Sequence, residues 1–132
     1  MAKLGCQCGH VISDTTDFIP YKARFMRDQD SVVLDKTIAD ICSLMEAYKN
    51  GQKEQWVAER FGNQADEHLS NDWLITKIQL HNELDAQGKM YQCQNCGRIK
   101  IESRIANHFA SFVPEGENWN NIFDGINPKD KK

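Results

Sequence analysis

Two periodicities divide this chain. Between about residues 30 and 88, apolar positions recur every three or four residues, the period of a helix with one buried face. Towards both ends they alternate, the period of a strand. In the first helical stretch Leu34, Ile38, Ile41, Met45 and Tyr48 follow a 4-3-4-3 spacing. That predicts an amphipathic helix begun at Asp30 or Ser31 and stopped at Asn50-Gly51, with this stripe facing the core. Cys42, beside the stripe, reads as a small buried apolar residue. A shorter helix is predicted over Lys53–Phe61, with Trp56, Val57 and Phe61 inward. A third starts at Ser70 or Asn71 and runs from Asp72 to about Gln87, closed by Gly88. Its apolar residues Trp73, Leu74, Ile75, Ile78, Leu80 and Leu84 wrap well over half its circumference. Such a helix is either largely buried or partly offered to a partner.

The strand-like segments lie outside this stretch. Residues 3–13 read as a hairpin with Val11-Ile12 entering the core, and Phe18 to Met26 as an extended segment with Pro20 at its edge. Met90-Tyr91-Gln92, Arg98–Glu102 with Ile99 and Ile101 on one face, and Phe109–Val113 ended by Pro114 complete the set. The polar tail, 127–132, is expected to fray. A chain of 132 residues has length for a modest core, so one domain spanning 1–132 is expected. The predicted class is α+β: a small antiparallel sheet holding a helical insertion of about three helices over about 30–88.

The cysteines say how the ends are joined. Four of the five fall into tight pairs, Cys6-Gln7-Cys8-Gly9 and Cys93-Gln94-Asn95-Cys96-Gly97, with 84 residues between Cys8 and Cys93. Thiols one or two residues apart and followed by glycine read as metal knuckles, and two such half-sites make one tetrahedral zinc site of four cysteines. Four soft ligands favour zinc over harder cations, and a closed set favours a structural ion over a catalytic one. Disulfides are the competing reading. They would leave Cys42 as an odd thiol and need an oxidising compartment, whereas Met1-Ala2-Lys3-Leu4 carries no apolar leader. A redox CxxC usually opens a helix, but Cys93–Cys96 precedes a strand pattern. His10, two residues past Cys8, reads as a spare polar residue rather than a replacement ligand.

The formal charge is −3, which four thiolates and a dication would carry to about −5. That balance disfavours a dedicated nucleic-acid binder. The absence of any long apolar run gives the expectation of a soluble, cytoplasmic chain without a membrane partner. Charge is unevenly placed: Lys22, Arg24, Arg27, Lys89, Arg98, Lys100 and Arg104 flank the cysteines, and Asp66, Glu67, Asp72, Glu83 and Asp85 lie in the middle.

The block Cys8-Gly9-His10-Val11-Ile12-Ser13-Asp14-Thr15-Thr16-Asp17-Phe18-Ile19-Pro20-Tyr21-Lys22-Ala23 resembles the N-terminus of a group of small bacterial proteins. Met90-Tyr91-Gln92-Cys93-Gln94-Asn95-Cys96-Gly97-Arg98 and Ser111-Phe112-Val113-Pro114-Glu115 resemble the same group's C-terminal half. The resemblance implies a zinc-ribbon-like protein. It also implies, through the association of such acidic proteins with polymorphic toxin systems, an immunity protein that neutralises a cognate toxin. It carries over no catalytic residue, only the four cysteines.

An inhibitor of a toxin with a basic cleft gains encounter rate and selectivity from acidic charge, and tight interfaces use aromatic anchors ringed by charge. The partner-binding candidates are therefore Trp56, Asp66, Glu67, Asp72 and Trp73. A nucleic-acid-binding zinc ribbon is the alternative, with Arg98, Lys100 and Arg104 on phosphates and Tyr91 or Phe109 stacking on bases, although Glu102 blunts that patch. A zinc deaminase is a remote third reading. His81-Asn82-Glu83 ahead of Cys93-x-x-Cys96 imitates its signature, but Gln92 stands where proline is needed and Cys6 and Cys8 would have no role.

Overall fold

The computed structural model describes residues 2–62 and 70–126. The protein is α+β, with two small antiparallel sheets and three helices. Strands β1 (Ala2–Gly5) and β2 (Val11–Asp14) form a hairpin, with Leu4 opposite Ile12. The second sheet has the order β3-β4-β5-β6, built from Lys22–Met26, Gln87–Gln92, Ile99–Glu102 and Phe109–Phe112. Between β3 and β4 the chain forms α1 (Val32–Lys49), α2 (Lys53–Phe61) and α3 (Asn71–Glu83). Met26–Gln87 make one compact unit, and the flanking segments make the other. The polar tail, 127–132, lies outside the described residues.

In the sheet unit the hairpin covers one face of the larger sheet. Cys6, Ile12, Tyr91 and Cys93 form its small buried cluster, with Leu4, Tyr21, Cys96 and Phe109 packed around it. Cross-strand partners share a face, so Tyr91, Lys100 and Ser111 point the same way. This is the covered face, so the side of β5 read as offering Lys100 to phosphates is turned inward. Lys100 and Glu102 are buried, while Ile99 and Ile101 are only half-buried. Burial is tolerated because each charge is bonded. Lys100 Nζ donates to Ser111 Oγ, and the Glu102 carboxylate accepts from the backbone N–H groups of Lys89 and Asn107. Asp14, at the end of β2, accepts from both Tyr91 Oη and Lys22 Nζ. Burial pushes its carboxyl up, but these two bonds and the Lys22 charge outweigh that and hold it below its usual range.

The helical unit has the larger apolar core: Leu44, Ala47, Trp56, Val57, Leu74 and Ile78, with Ile41 and Phe61 packed against it. α1 ends as its Asn50-Gly51 signal predicts. Gly51 takes φ +68°, Gln52 N–H donates to Ala47 O and Gly51 N–H to Tyr48 O, closing the last turn. Ser70 caps α3 by accepting from the Trp73 N–H at 3.1 Å. α3 stops at Glu83, earlier than Gln87, because Leu84–Ala86 tighten into a 3-10 turn before β4.

The buried face of α1 is not the predicted one. Thr37, Asp40, Leu44 and Ala47 are buried, whereas Leu34, Ile38, Met45, Tyr48 and also Cys42 are exposed. Asp40 is accepted into the interior because three donors meet it. Lys36 Nζ lies at 3.0 Å, Arg60 Nη1 at 2.8 Å and Asn82 Nδ2 at 2.8 Å, so one carboxylate ties α1 to α2 and α3. Burial raises the Asp40 pKa, and the bonds from Asn82, Lys36 and Arg60 bring it below the normal value.

Candidate metal centre

The four paired cysteines meet. All four Sγ atoms of Cys6, Cys8, Cys93 and Cys96 lie within 4.8 Å of one another. Cys6 Sγ is 3.5 Å from Cys96 Sγ, and Cys8 Sγ is 3.6 Å from Cys93 Sγ. A Zn–S bond of about 2.3 Å in a tetrahedron sets S···S edges of about 3.8 Å, so the spacing suits one ion. The cysteines are free thiols, and the closest approaches are far beyond the ~2.05 Å of a disulfide. His10 takes part through its backbone: its carbonyl accepts from the Cys6 N–H at 2.9 Å.

The two knuckles repeat one design at different lengths. In the first, Cys6 N–H donates to His10 O and Gly9 N–H to Cys6 O. In the second, Cys93 N–H donates to Arg98 O and Gly97 N–H to Cys93 O, all at 2.8–2.9 Å. The C-x-C turn is thus the C-x₂-C turn with one residue removed. Gly9 at φ +97° and Gly97 at φ +81° occupy the left-handed region that each turn needs. The backbone N–H of the residue two past each second cysteine favours that thiolate: His10 for Cys8, Arg98 for Cys96.

Side chains complete the shell. Asn95 Nδ2, from the second knuckle, donates to Cys8 Sγ in the first at 3.3 Å, and Arg98 Nη1 donates to Cys96 Sγ at 3.3 Å. Asn95 above all, then the His10 N–H, lowers the Cys8 pKa to about 6. Burial pushes the fully enclosed Cys93 up to about 12. A dication held by the four sulfurs would draw them all to thiolates, leaving two excess negative charges for the Arg98 guanidinium to face. Trp119 roofs the second knuckle, with its ring close over Gly97 and its carbonyl accepting from Gln92 Nε2 at 2.6 Å. Neither the Asn95 bond nor the Trp119 roof was visible in the spacing of the motifs. Trp119 is 22 residues beyond Gly97, and no motif in the sequence links the two.

The family model described as a domain of unknown function, DUF8617, matches residues 2–116. The chain belongs to this family. The match includes all four cysteines and every helix and strand described above. No curated protein and no solved structure is detectably similar to the chain.

The other residues singled out fare differently. Trp56, predicted inward on its helix and also a partner-binding candidate, is core: it is 7 % exposed, and its Nε1 donates to Ser43 Oγ at 2.9 Å. Its helix is nine residues long and buries only Trp56 and Val57, so the indole is needed inside. Asp66 and Glu67 lie outside the described residues. Asp72 is exposed in the first turn of α3, where a carboxylate favours the helix dipole. Trp73 is 39 % exposed, edge-on to Phe61 on one side and with Lys77 Nζ 5.3 Å from its ring centre. Arg98 and Lys100, the expected phosphate contacts, are engaged within the fold with Cys96 and Ser111. His81 and Glu83 belong to α3, His81 edge-on to Phe61, while the cysteines form a complete set of four without them. No helix among the described residues is long and apolar enough to cross a membrane.

Proposed function

We propose that this protein works by binding another protein. In this reading the four cysteines hold a structural zinc ion, as in a zinc ribbon, and the sharpest form of the activity is immunity: capture and neutralisation of a cognate toxin in the bacterial cytoplasm. The observation that carries the reading is a strip along α3 and the turn after it. Trp73, Leu80 and Leu84 recur at helical spacing and are all substantially exposed, with the carboxylates Asp72 and Asp85 beside them. A partly exposed tryptophan among leucines is the chemistry of an interface centre, and two carboxylates against the single ammonium of Lys77 leave the strip net acidic, as a basic partner would need. Zinc is the ion that four soft thiolates select, and a closed tetrathiolate set holds a fold rather than activating water. The nucleic-acid alternative is less well supported, because Arg98 and Lys100 are already bonded inside the fold.

The test compares tagged wild type with a Trp73→Ala, Leu80→Asp variant for capture from the native host, followed by mass spectrometry. The expected result is one stoichiometric basic partner that is lost with the variant, and whose toxic activity the purified wild-type chain abolishes. Metal analysis should give one zinc per chain. Recovery of nuclease-sensitive nucleic acid, or a partner retained equally by the variant, would overturn the reading.

A further inference from the structure

The α1 stripe that the pattern assigned to the core remains unaccounted for. Ile38 and Met45 are 60 % and 62 % exposed, Leu34 and Tyr48 are 43 % and 40 % exposed, the Tyr48 hydroxyl donating to Asn71 of α3, and Ile41 is partly buried. The helix meets its own unit through a different face, Thr37, Asp40, Leu44 and Ala47. The exposed stripe borders a groove of about 280 Å³ between α1 and α3, lined by Ile41, Leu44, Met45, Tyr48, Asn71 and Ile75. Ile75 is two positions from Trp73, about 200° round the helix, so this groove is separate from the strip proposed above.

The 4-3-4-3 spacing of Leu34, Ile38, Ile41, Met45 and Tyr48 is that of a coiled-coil seam, which needs a second helix. With Ile38 and Met45 at the a positions and Leu34, Ile41 and Tyr48 at d, the flanking e positions are Asp35, Cys42 and Lys49, all exposed. We propose that this face is a homodimer interface, in which two copies of α1 pack antiparallel about a two-fold axis between Ile41 and Met45. In that register Ile38 meets the partner's Tyr48 and Ile41 the partner's Met45. Asp35 lies opposite the partner's Lys49 at both ends, and Cys42 lies opposite the partner's Cys42 beside the axis. The charges match only in this direction: a parallel pair would not bring Asp35 to Lys49. The contact is isologous, so it closes at two copies.

The full-length zinc-loaded chain should sediment at twice its 15.2 kDa. A short bis-maleimide should join two chains through Cys42, and Cys42→Ser should abolish the product. Ile38→Glu or Met45→Glu should weaken the dimer at least tenfold while helicity and zinc content stay unchanged, since both side chains are mostly exposed. Asp35→Lys should weaken it several-fold, and Asp35→Lys with Lys49→Asp should restore it. Trp73→Ala should leave the dimer intact, so failure here is distinct from failure of the partner-binding strip. A monomer at 100 µM, a dimer indifferent to Ile38→Glu, or a different protein bound at this face would overturn the proposal.

Discussion

The sheet unit and the helical unit reach stability by opposite routes. The first has a buried apolar cluster of four residues, two of them cysteines, and is otherwise held by sulfurs and by bonded charges such as Asp14, Lys100 and Glu102. The second has a buried apolar cluster of six residues and a carboxylate, Asp40, stitched to all three helices, and still exposes an apolar seam. A sheet with so little oil would depend on a metal held by its four cysteines. A helical bundle with this much can stand without one, and has apolar surface left to offer.

Removing the metal should therefore split the molecule in two. Cys93→Ser, or chelation, should cost the sheet unit on the order of 10 kcal/mol of folding free energy. Hydrogen exchange should show residues 2–25 and 88–112 losing protection while α1 and α3 keep theirs. If the strands stayed protected in the metal-free protein, the contrast between the units would collapse.

The converse experiment attacks the helices. Leu74 is fully buried, and Leu74→Ala leaves a cavity worth about 2–5 kcal/mol. The helical unit should melt earlier while one zinc per chain is retained. Loss of zinc along with helicity would mean that the two units unfold as one.

How much of this was legible follows from the range of each interaction. The cysteine knuckles are local: two thiols, a glycine and the turn between them are written within five residues, so pairing them across the chain needed only the chemistry of thiolate–metal binding. The helices, too, are announced by their own caps, Asn50-Gly51 and Ser70. What failed was the choice of face. α1 carries two stripes, and Leu34-Ile38-Ile41-Met45-Tyr48 is the more apolar, yet the buried one contains Thr37 and Asp40. Asp40 can go inside only because Lys36, Arg60 and Asn82 converge on it, and no spacing rule shows where Asn82 will be. β5 has the same ambiguity: alternation gives two faces, and the covered one bears Lys100 and Glu102, whose partners come from other strands and loops. Trp56 lies inward as the pattern of its helix predicts, which removes it from the partner-binding candidates, and its indole N–H finds Ser43 on another helix.

Gly97→Ala tests how closely the second knuckle is fitted. At φ +81° an alanine costs about 1–2 kcal/mol, and its Cβ would stand 2.5 Å from the Trp119 ring. Zinc should be lost faster to a chelator. Adding Trp119→Ala should recover the steric part and leave the backbone part, so the pair should be non-additive in a double-mutant cycle. Strict additivity would mean that Trp119 does not roof the site.

The smallest effect separates the two units by acid. Asp40 titrates below its unfolded value, so the stability it contributes is complete above that value, about pH 4, and is lost as pH falls through the depressed folded pKa. In the helical unit this should be a shallow decline, flattened by Asp40→Asn. Asp14 acts in the same direction in the sheet unit, but there protons also compete with the metal for four sulfurs. Cys93, whose pKa burial pushes to about 12, is a thiolate at neutral pH only while a cation holds it. Zinc release should therefore unfold the sheets at a higher pH than the helices. Tryptophan fluorescence can follow both, since Trp119 roofs the knuckle and Trp56 sits in the helical core. A single acid transition shared by both signals, unchanged by Asp40→Asn, would show that proton competition at the sulfurs governs the whole chain.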